Sequence, residues 1–272
     1  MTRLEEFFKQ YAEKEGSSFL LGKDWLTKGK QEPRDCLITA RLTSGAVAKA
    51  LQEEVQTIIC IYPPFFTQGS QSGLVPWELE ILTMLIDNRL AVFSLGENWI
   101  TKEQGGFDYL LELLDFRYKQ PLFNTYNKQW LTANEEPQKV LGRLGEHAKK
   151  LDLDELLTLI TQLTNENHRY FGYNKHPIKQ LAILERVMER TTLSAIITNN
   201  HIDGMVVGRM FYEGLLVVQQ LRFPTIVLGE RVLENLLLRQ VQRQLLEVLE
   251  LEVGRIVIYK QKKLGTLFLP KD

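Results

Sequence analysis

The chain has 272 residues, of which 44% are hydrophobic and 25% charged, and its formal net charge is −1. Such a chain is long enough for one large domain or two modest ones, each burying a core. The near-neutral balance excludes the strong basic bias of a general nucleic-acid binder, and no apolar run of about 18 residues is present to cross a bilayer.

The opening, M-T-R-L-E-E-F-F-K, is acidic and amphipathic and lacks a signal-peptide pattern, so the cytoplasm is the expected compartment. Leu4, Phe7, Phe8 and Tyr11 predict a helix over 3–15, and the polar stretch 22–34 reads as a loop. Cys36 to Ala40 is a short apolar strand. Ser44 can then cap a helix with Val47, Leu51 and Val55 inward. Thr57 to Ile61 is the next strand, giving a β-α-β unit with a parallel pair and a right-handed crossover. It runs into an elbow at Pro63-Pro64, where a sheet delivers side chains to a cleft. Residues 67–75, rich in Gly, Ser and Gln, read as a mobile surface loop, either lid or connector. Pro76 opens a helix with Leu79, Leu82, Leu85 and Ile86 inward, which Asn88 can stop in a left-handed conformation. Leu90 to Ser94 is a third strand, and Gly105-Gly106 leads into a helix from Phe107 to Leu114.

The middle reads as helical, over Pro137 to Lys150 and Asp154 to Leu163, with Asp152 or Asp154 as a cap. Further strands are expected at Ile178–Leu184, Ala195–Thr198, Met205–Val207, Thr225–Leu228 and Arg255–Tyr259. A long helix from Arg231 to Glu250 carries the stripe Leu233, Leu237, Val241, Leu245 and Leu249. The fold class is therefore α/β, a two-lobed subunit with parallel-rich sheets flanked by helices. The lobes are expected at 1–125 and 126–272, the second including a helical connector, and the final strand can return to the first lobe. Cys36 and Cys60 lie inside apolar strands and read as buried free thiols. With four scattered histidines they make no zinc-binding spacing.

No phosphate-binding glycine loop, dinucleotide fingerprint, nucleophile elbow or His-Glu-x-x-His motif is present. Open α/β sheets bind ligands at the carboxyl ends of their strands, which points to three stretches. These are Ile61-Tyr62-Pro63, Leu95-Gly96-Glu97-Asn98-Trp99-Ile100 and Gly229-Glu230-Arg231-Val232-Leu233-Glu234. Taken with I-I-C-I-Y-P-P-F-F, A-V-F-S-L-G-E-N-W-I-T-K-E-Q-G-G-F-D, D-G-M-V-V-G and I-V-L-G-E-R-V-L-E-N, their order and spacing resemble the NIF-three-like family, the GTP cyclohydrolase type two homologues.

The resemblance implies a two-lobed subunit, a ring-shaped hexamer and a dinuclear metal centre. The family pattern is His-His-Pro where this chain has Ile61-Tyr62-Pro63. It is His-Thr-x-x-Asp where Gly96 and Ile100 stand in the His and Asp positions, and Gly-His-x-x-x-Glu where Glu230 and Glu234 stand. Arg41 occupies the position of a further Asp, so Glu234 alone matches a ligand. Ile61 and Ile100 have no donor atom, whereas a metal needs several converging at about 2.0–2.3 Å. No cofactor is expected, the alternative being one weakly bound divalent ion.

The cleft candidates are Arg41, Tyr62, Glu97, Glu230 and Glu234. Tyr62 is either a replacement ligand or, more simply, a buried tyrosine tied to a partner. Arg41 either pairs with Glu230 or Glu234 or is simply a surface arginine. His147, His168, His176 and His201 read as surface or packing residues. His168-Arg-Tyr-Phe-Gly172 reads as a loop leading into the second lobe, or as a basic-aromatic binding cluster. The functional expectation is a non-catalytic binding or scaffold subunit of a homo-oligomer, with a small-molecule ligand in the cleft and neither membrane nor nucleic acid as partner. The alternative is a metal-dependent hydrolase of a nucleotide-like or phosphorylated small molecule.

Overall fold

The computed structural model describes residues 19–21, 35–64, 74–123, 140–172, 177–187, 190–249 and 255–261. The expected helix at 3–15, the loop at 22–34, most of the 67–75 loop and His176 lie outside them. The chain divides into two compact units, Met1–Trp99 with Leu238–Asp272, and Ile100–Leu237.

The first unit holds a five-stranded sheet. Strands β2 (Cys36–Thr39), β3 (Thr57–Cys60) and β4 (Ala91–Ser94) are parallel neighbours. The C-terminal strand β11 (Ile256–Tyr259) adds in parallel to β2, and β1 (Phe19–Leu21) pairs antiparallel with β4. All residues of β2, β3 and β4 are buried, as befits parallel strands covered on both faces. Helix α1 (Ser44–Gln52) links β2 to β3 and buries Ala46, Val47 and Ala50. Its cap is Thr43, whose hydroxyl accepts from the Ala46 N–H at 3.2 Å and which stands one residue before the expected Ser44. Leu51 is half-buried, and Val55 is sealed in the following turn.

Helix α2 (Pro76–Asp87) begins at the expected Pro76, but it turns Ile81 and Leu85 inward and leaves Leu79 and Ile86 exposed. Both candidate stripes have helical spacing, and periodicity cannot say which of two apolar faces meets the sheet. Asn88 closes the helix with φ −99°, and the left-handed residue is Arg89. A short helix, α3 (Asn98–Thr101), follows β4.

The second unit holds a six-stranded mixed sheet in the order β5-β6-β8-β9-β10-β7. Its strands are β5 (Phe116–Phe123), β6 (Val140–Leu151), β7 (Arg169–Phe171), β8 (Ile178–Val187), β9 (Gly204–Met210) and β10 (Thr225–Val227). Only β8–β9 and β9–β10 are parallel, so the parallel-rich expectation fails here. Helix α4 (Gly106–Leu113) packs on β5, β6 and β8. That packing, with the β5–β6 pairing, goes with the placing of residues 100–123 in the second unit.

Two elements change type. Residues 137–150 read as a helix, yet 140–151 form β6, hydrogen-bonded on both sides by β5 and β8. Gly142 and Gly145 weaken the helix there, and their missing side chains admit the Ile183 carbonyl and Leu111 with Phe116. Ala195–Thr198 reads as a strand but lies inside helix α6 (Arg190–Asn199), whose β-branched residues fit either state. Helix α5 (Leu153–Thr164) is capped by Asp152 in a reciprocal box with Glu155. Helix α7 (Tyr212–Leu221) was not expected. Helix α8 (Glu230–Leu249) buries Leu233, Leu237, Val241 and Leu245 as its spacing predicts.

Candidate functional site

The carboxyl ends of β2, β3 and β4 lie side by side in the first unit, as parallel pairing in register requires. The elbow after β3 is fixed by backbone bonds. The Ile61 and Tyr62 N–H groups donate to the Ala40 carbonyl at 3.2 and 3.0 Å. Ser94 at the end of β4 donates to the Ile61 carbonyl at 3.4 Å and accepts from the Gly96 N–H at 3.2 Å. Gly96 itself has φ +78°, which explains a glycine at that turn.

This scaffold presents Arg41 and Tyr62. The Arg41 guanidinium lies 4.0 Å from the centre of the Tyr62 ring, and Tyr62 is buried beneath it. Of the other candidates here, Glu97 is exposed, while Ile61 and Ile100 are fully buried. Trp99 is buried as well and donates its indole N–H to Gln244 at 3.0 Å. Below the elbow, the Cys60 thiol donates to the Phe93 carbonyl at 3.0 Å, and burial pushes its pKa up to about 12. Burial, aided by nearby Asp35, raises Cys36 to about 12 as well. Both are inert thiols at neutral pH.

The third candidate stretch opens α8 in the second unit. Gly229 has φ +87° and its carbonyl accepts from the Leu233 N–H at 3.1 Å, starting the helix. Gly208 on β9 lets α8 approach, because a Cβ there would meet Leu233 Cδ2 and the Glu185 carbonyl oxygen at 2.6 Å each. Glu230 sits at the helix N-terminus, where the dipole favours a carboxylate, and pairs with Arg209 at 3.3 Å. Glu234, one turn on, is buried. Arg231 between them pairs with Glu166 at 2.5 Å.

The donor chemistry at the first two stretches does not fit a dinuclear metal centre. The Ile61 and Ile100 side chains have no donor atom for a metal, Gly96 has no side chain, and Arg41 brings a positive charge to the strand ends. Among the described residues no three of His, Cys, Asp and Glu converge.

The histidines take packing and turn roles. His147 is buried, accepts from the Lys149 N–H at 3.1 Å and packs on Phe116. His168 bonds Thr164 at 2.7 Å, and burial lowers its pKa. His201 is exposed in a turn. Arg169-Tyr170-Phe171 is not the expected loop but the edge strand β7, paired antiparallel with β10.

Sequence reading missed a buried ion pair. Arg143 on β6 donates from Nε and Nη2 to the two carboxylate oxygens of Asp108 on α4, at 2.6 and 3.0 Å. Both side chains are almost fully buried. Its one sequence signal, a charge among alternating apolar residues and glycines in L-G-R-L-G, disappears once the stretch is taken for a helix.

The fold and its strand-end scaffold define a two-sheet α/β protein. A family profile described as Duf34/NIF3 (NGG1p interacting factor 3) matches residues 25–263. The solved structure of a Bacillus cereus protein related to NIF3 is similar with a TM-score of 0.73 over 98% of each chain, at 15% identity. Reduced HcgD from Methanocaldococcus jannaschii gives 0.73 over 94% of this chain and 95% of its own, at 16% identity. The Drosophila melanogaster NIF3-like protein 1 is 26% identical over 93 residues, 34% of this chain and 32% of that protein. The chain belongs to the DUF34/NIF3 family. The structural likenesses, at such low identity, speak for the fold alone, and the segment shared with the fly protein spans about a third of the latter's length. No helix among the described residues is long and apolar enough to cross a membrane.

Proposed function

We propose that this chain is a non-catalytic member of the family, a binding or scaffold subunit of a cytoplasmic homo-oligomer, hexameric if the family's ring is kept, whose dinuclear metal centre has been lost. The observation that carries this reading is the pair at the strand ends of the first sheet. A guanidinium stacked 4.0 Å above a buried tyrosine stands where the resemblance places an acidic and an imidazole ligand. Several donors have gone together, with apolar Ile61 taken wholly into the core. One altered ligand can tune a metal; a cation in place of a carboxylate opposes binding outright. Such strand ends suit a ligand with an acceptor or an aromatic face, held by Arg41 and the Tyr62 ring.

The test is metal analysis of protein purified without chelator, together with its mass in solution. Substoichiometric transition metal in an oligomer is the expected result. Two tightly held transition metals per subunit would overturn the reading, and a monomer would remove its scaffold half.

A second reading, hydrolysis of a nucleotide-like or phosphorylated small molecule, is favoured by one feature, the buried carboxylate of Glu234 a turn beyond Glu230. Two carboxylates whose environments differ can divide acid and base roles. The double variant Glu230→Gln/Glu234→Gln must then abolish any phosphatase or nucleotidase turnover, and unchanged turnover rejects it.

A further inference from the structure

A pocket of about 480 Å³ opens in the second unit beside α4 and the start of β5, within the size range of small-molecule sites. Arg143 reaches it from β6. Its Nε and Nη2 are taken by Asp108, whereas Nη1 has no acceptor among the described residues. Arg143 lines the pocket although its side chain is only 6% exposed. A donor at the end of a buried, immobilised side chain costs little entropy to engage.

The backbone of β5 is bent to the same place. Its pairing with β6 shifts register between Arg117 and Gln120, and Tyr118 takes φ +49°. Regular alternation would turn Tyr118 away from its two neighbours, yet Arg117, Tyr118 and Lys119 all line the pocket. Bulges re-aim side chains in this way, here leaving a tyrosine ring 84% exposed at the rim. The other charges partly cancel, since Asp115 pairs with Arg117 at 3.2 Å and Glu112 with Lys119 at 3.5 Å. Glu103 is the lining carboxylate without an ion pair among the described residues.

We propose that this pocket binds a small zwitterion of the free amino-acid type, its carboxylate accepting from Arg143 Nη1, its ammonium facing Glu103 and its body against the Tyr118 ring. A simple anion would meet the carboxylates of Glu103, Glu112 and Asp115. A simple cation would meet Arg143 and leave its Nη1 without an acceptor. A molecule carrying both charges satisfies each.

Calorimetric titration of the full chain with the common free L-amino acids tests this. At least one binds, with a Kd on the order of 0.1–1 mM for so few atoms. Its carboxamide and N-acetyl derivatives, which each delete one charge, bind at least about tenfold more weakly. Glu103→Gln, at an exposed position, leaves the fold intact and weakens binding about five- to tenfold. Arg143→Lys keeps a charge beside Asp108 and abolishes the preference for the acid over its carboxamide. The proposal falls if no amino acid binds, if the carboxamide binds as well as the acid, or if Glu103→Gln changes nothing.

Discussion

The two sheets of this protein spend their buried volume differently. In the first, β2, β3 and β4 are buried along their whole length, and the polar groups among them are thiols and hydroxyls: Cys36, Cys60, Thr39, Thr57 and Ser94. In the second, an ion pair is taken into the interior, Asp108 with Arg143, and β6 carries the buried His147 a few residues on. A dry parallel sheet specifies itself through continuous apolar runs. A mixed sheet that encloses a charge relies on the partner that compensates it. The two should therefore respond differently to lost partners and to pH.

The largest effect is expected at the ion pair. Arg143→Ala leaves the Asp108 carboxylate buried with the Gln104 N–H as its recorded remaining donor and should cost about 3–5 kcal/mol. Asp108→Leu/Arg143→Met, which removes both charges at similar volume, should be near neutral or stabilising. Urea unfolding of the wild type, the single variant and the double variant measures this. A double variant as unstable as the single one would mean that the pair does more than satisfy itself.

That contrast also explains what could be read from the sequence. Four strands of the first sheet were legible, all but β1, because each is a short, largely apolar run bounded by turn residues, and C-L-I-T and T-I-I-C have few alternatives. In the second, V-L-G-R-L-G-E-H-A-K-K-L fits helical spacing as well as a strand, and only pairing with β5 and β8 decides. The same ambiguity turned Ala195–Thr198 from strand to helix. At the candidate site the sequence located the strand ends and the residues on them. It could not show Arg41 lying on Tyr62 or Arg209 pairing with Glu230, since those depend on side-chain direction between elements distant in sequence. The Arg143 pocket was hidden by the misread helix around it.

A smaller effect sharpens the other side of the comparison. The Cys36 and Cys60 thiols are raised to about 12 by burial, so the folded chain keeps both protons while the unfolded chain releases them from about pH 9. The sign follows from linkage: their contribution is fully present below the unfolded pKa and is lost as pH rises through the folded one. Stability should fall between about pH 9 and 12, by roughly 1 kcal/mol per thiol at pH 10. Denaturation of wild type and of Cys36→Val/Cys60→Val at pH 7 and pH 10 reads it out, the variant losing this part of the slope. In the same pH range iodoacetamide should leave the folded thiols unmodified and label them only on unfolding.

The smallest effect is expected where the first sheet meets solvent. Arg41 is exposed, and a guanidinium stacked on an aromatic ring at an exposed site is worth about 0.5–1 kcal/mol. Arg41→Ala should therefore lower stability by less than about 1 kcal/mol, and Arg41→Lys by less still, because the ammonium keeps the charge but not the planar stacking. Tyr62→Phe keeps the ring and should preserve the Arg41 contact, whereas Tyr62→Ala empties a buried volume and should cost several-fold more, about 3–5 kcal/mol as for other buried aromatics. The informative quantity is the coupling between the two positions. A double-mutant cycle on Arg41→Ala and Tyr62→Phe removes the guanidinium and the hydroxyl separately. If the contact is ring to cation, as the 4.0 Å approach to the ring centre indicates, the two changes add and the coupling is near zero. A coupling above about 1 kcal/mol would instead tie Arg41 to the phenolic oxygen, and the strand ends would then present a fixed polar pair to a ligand in place of a stacked aromatic face.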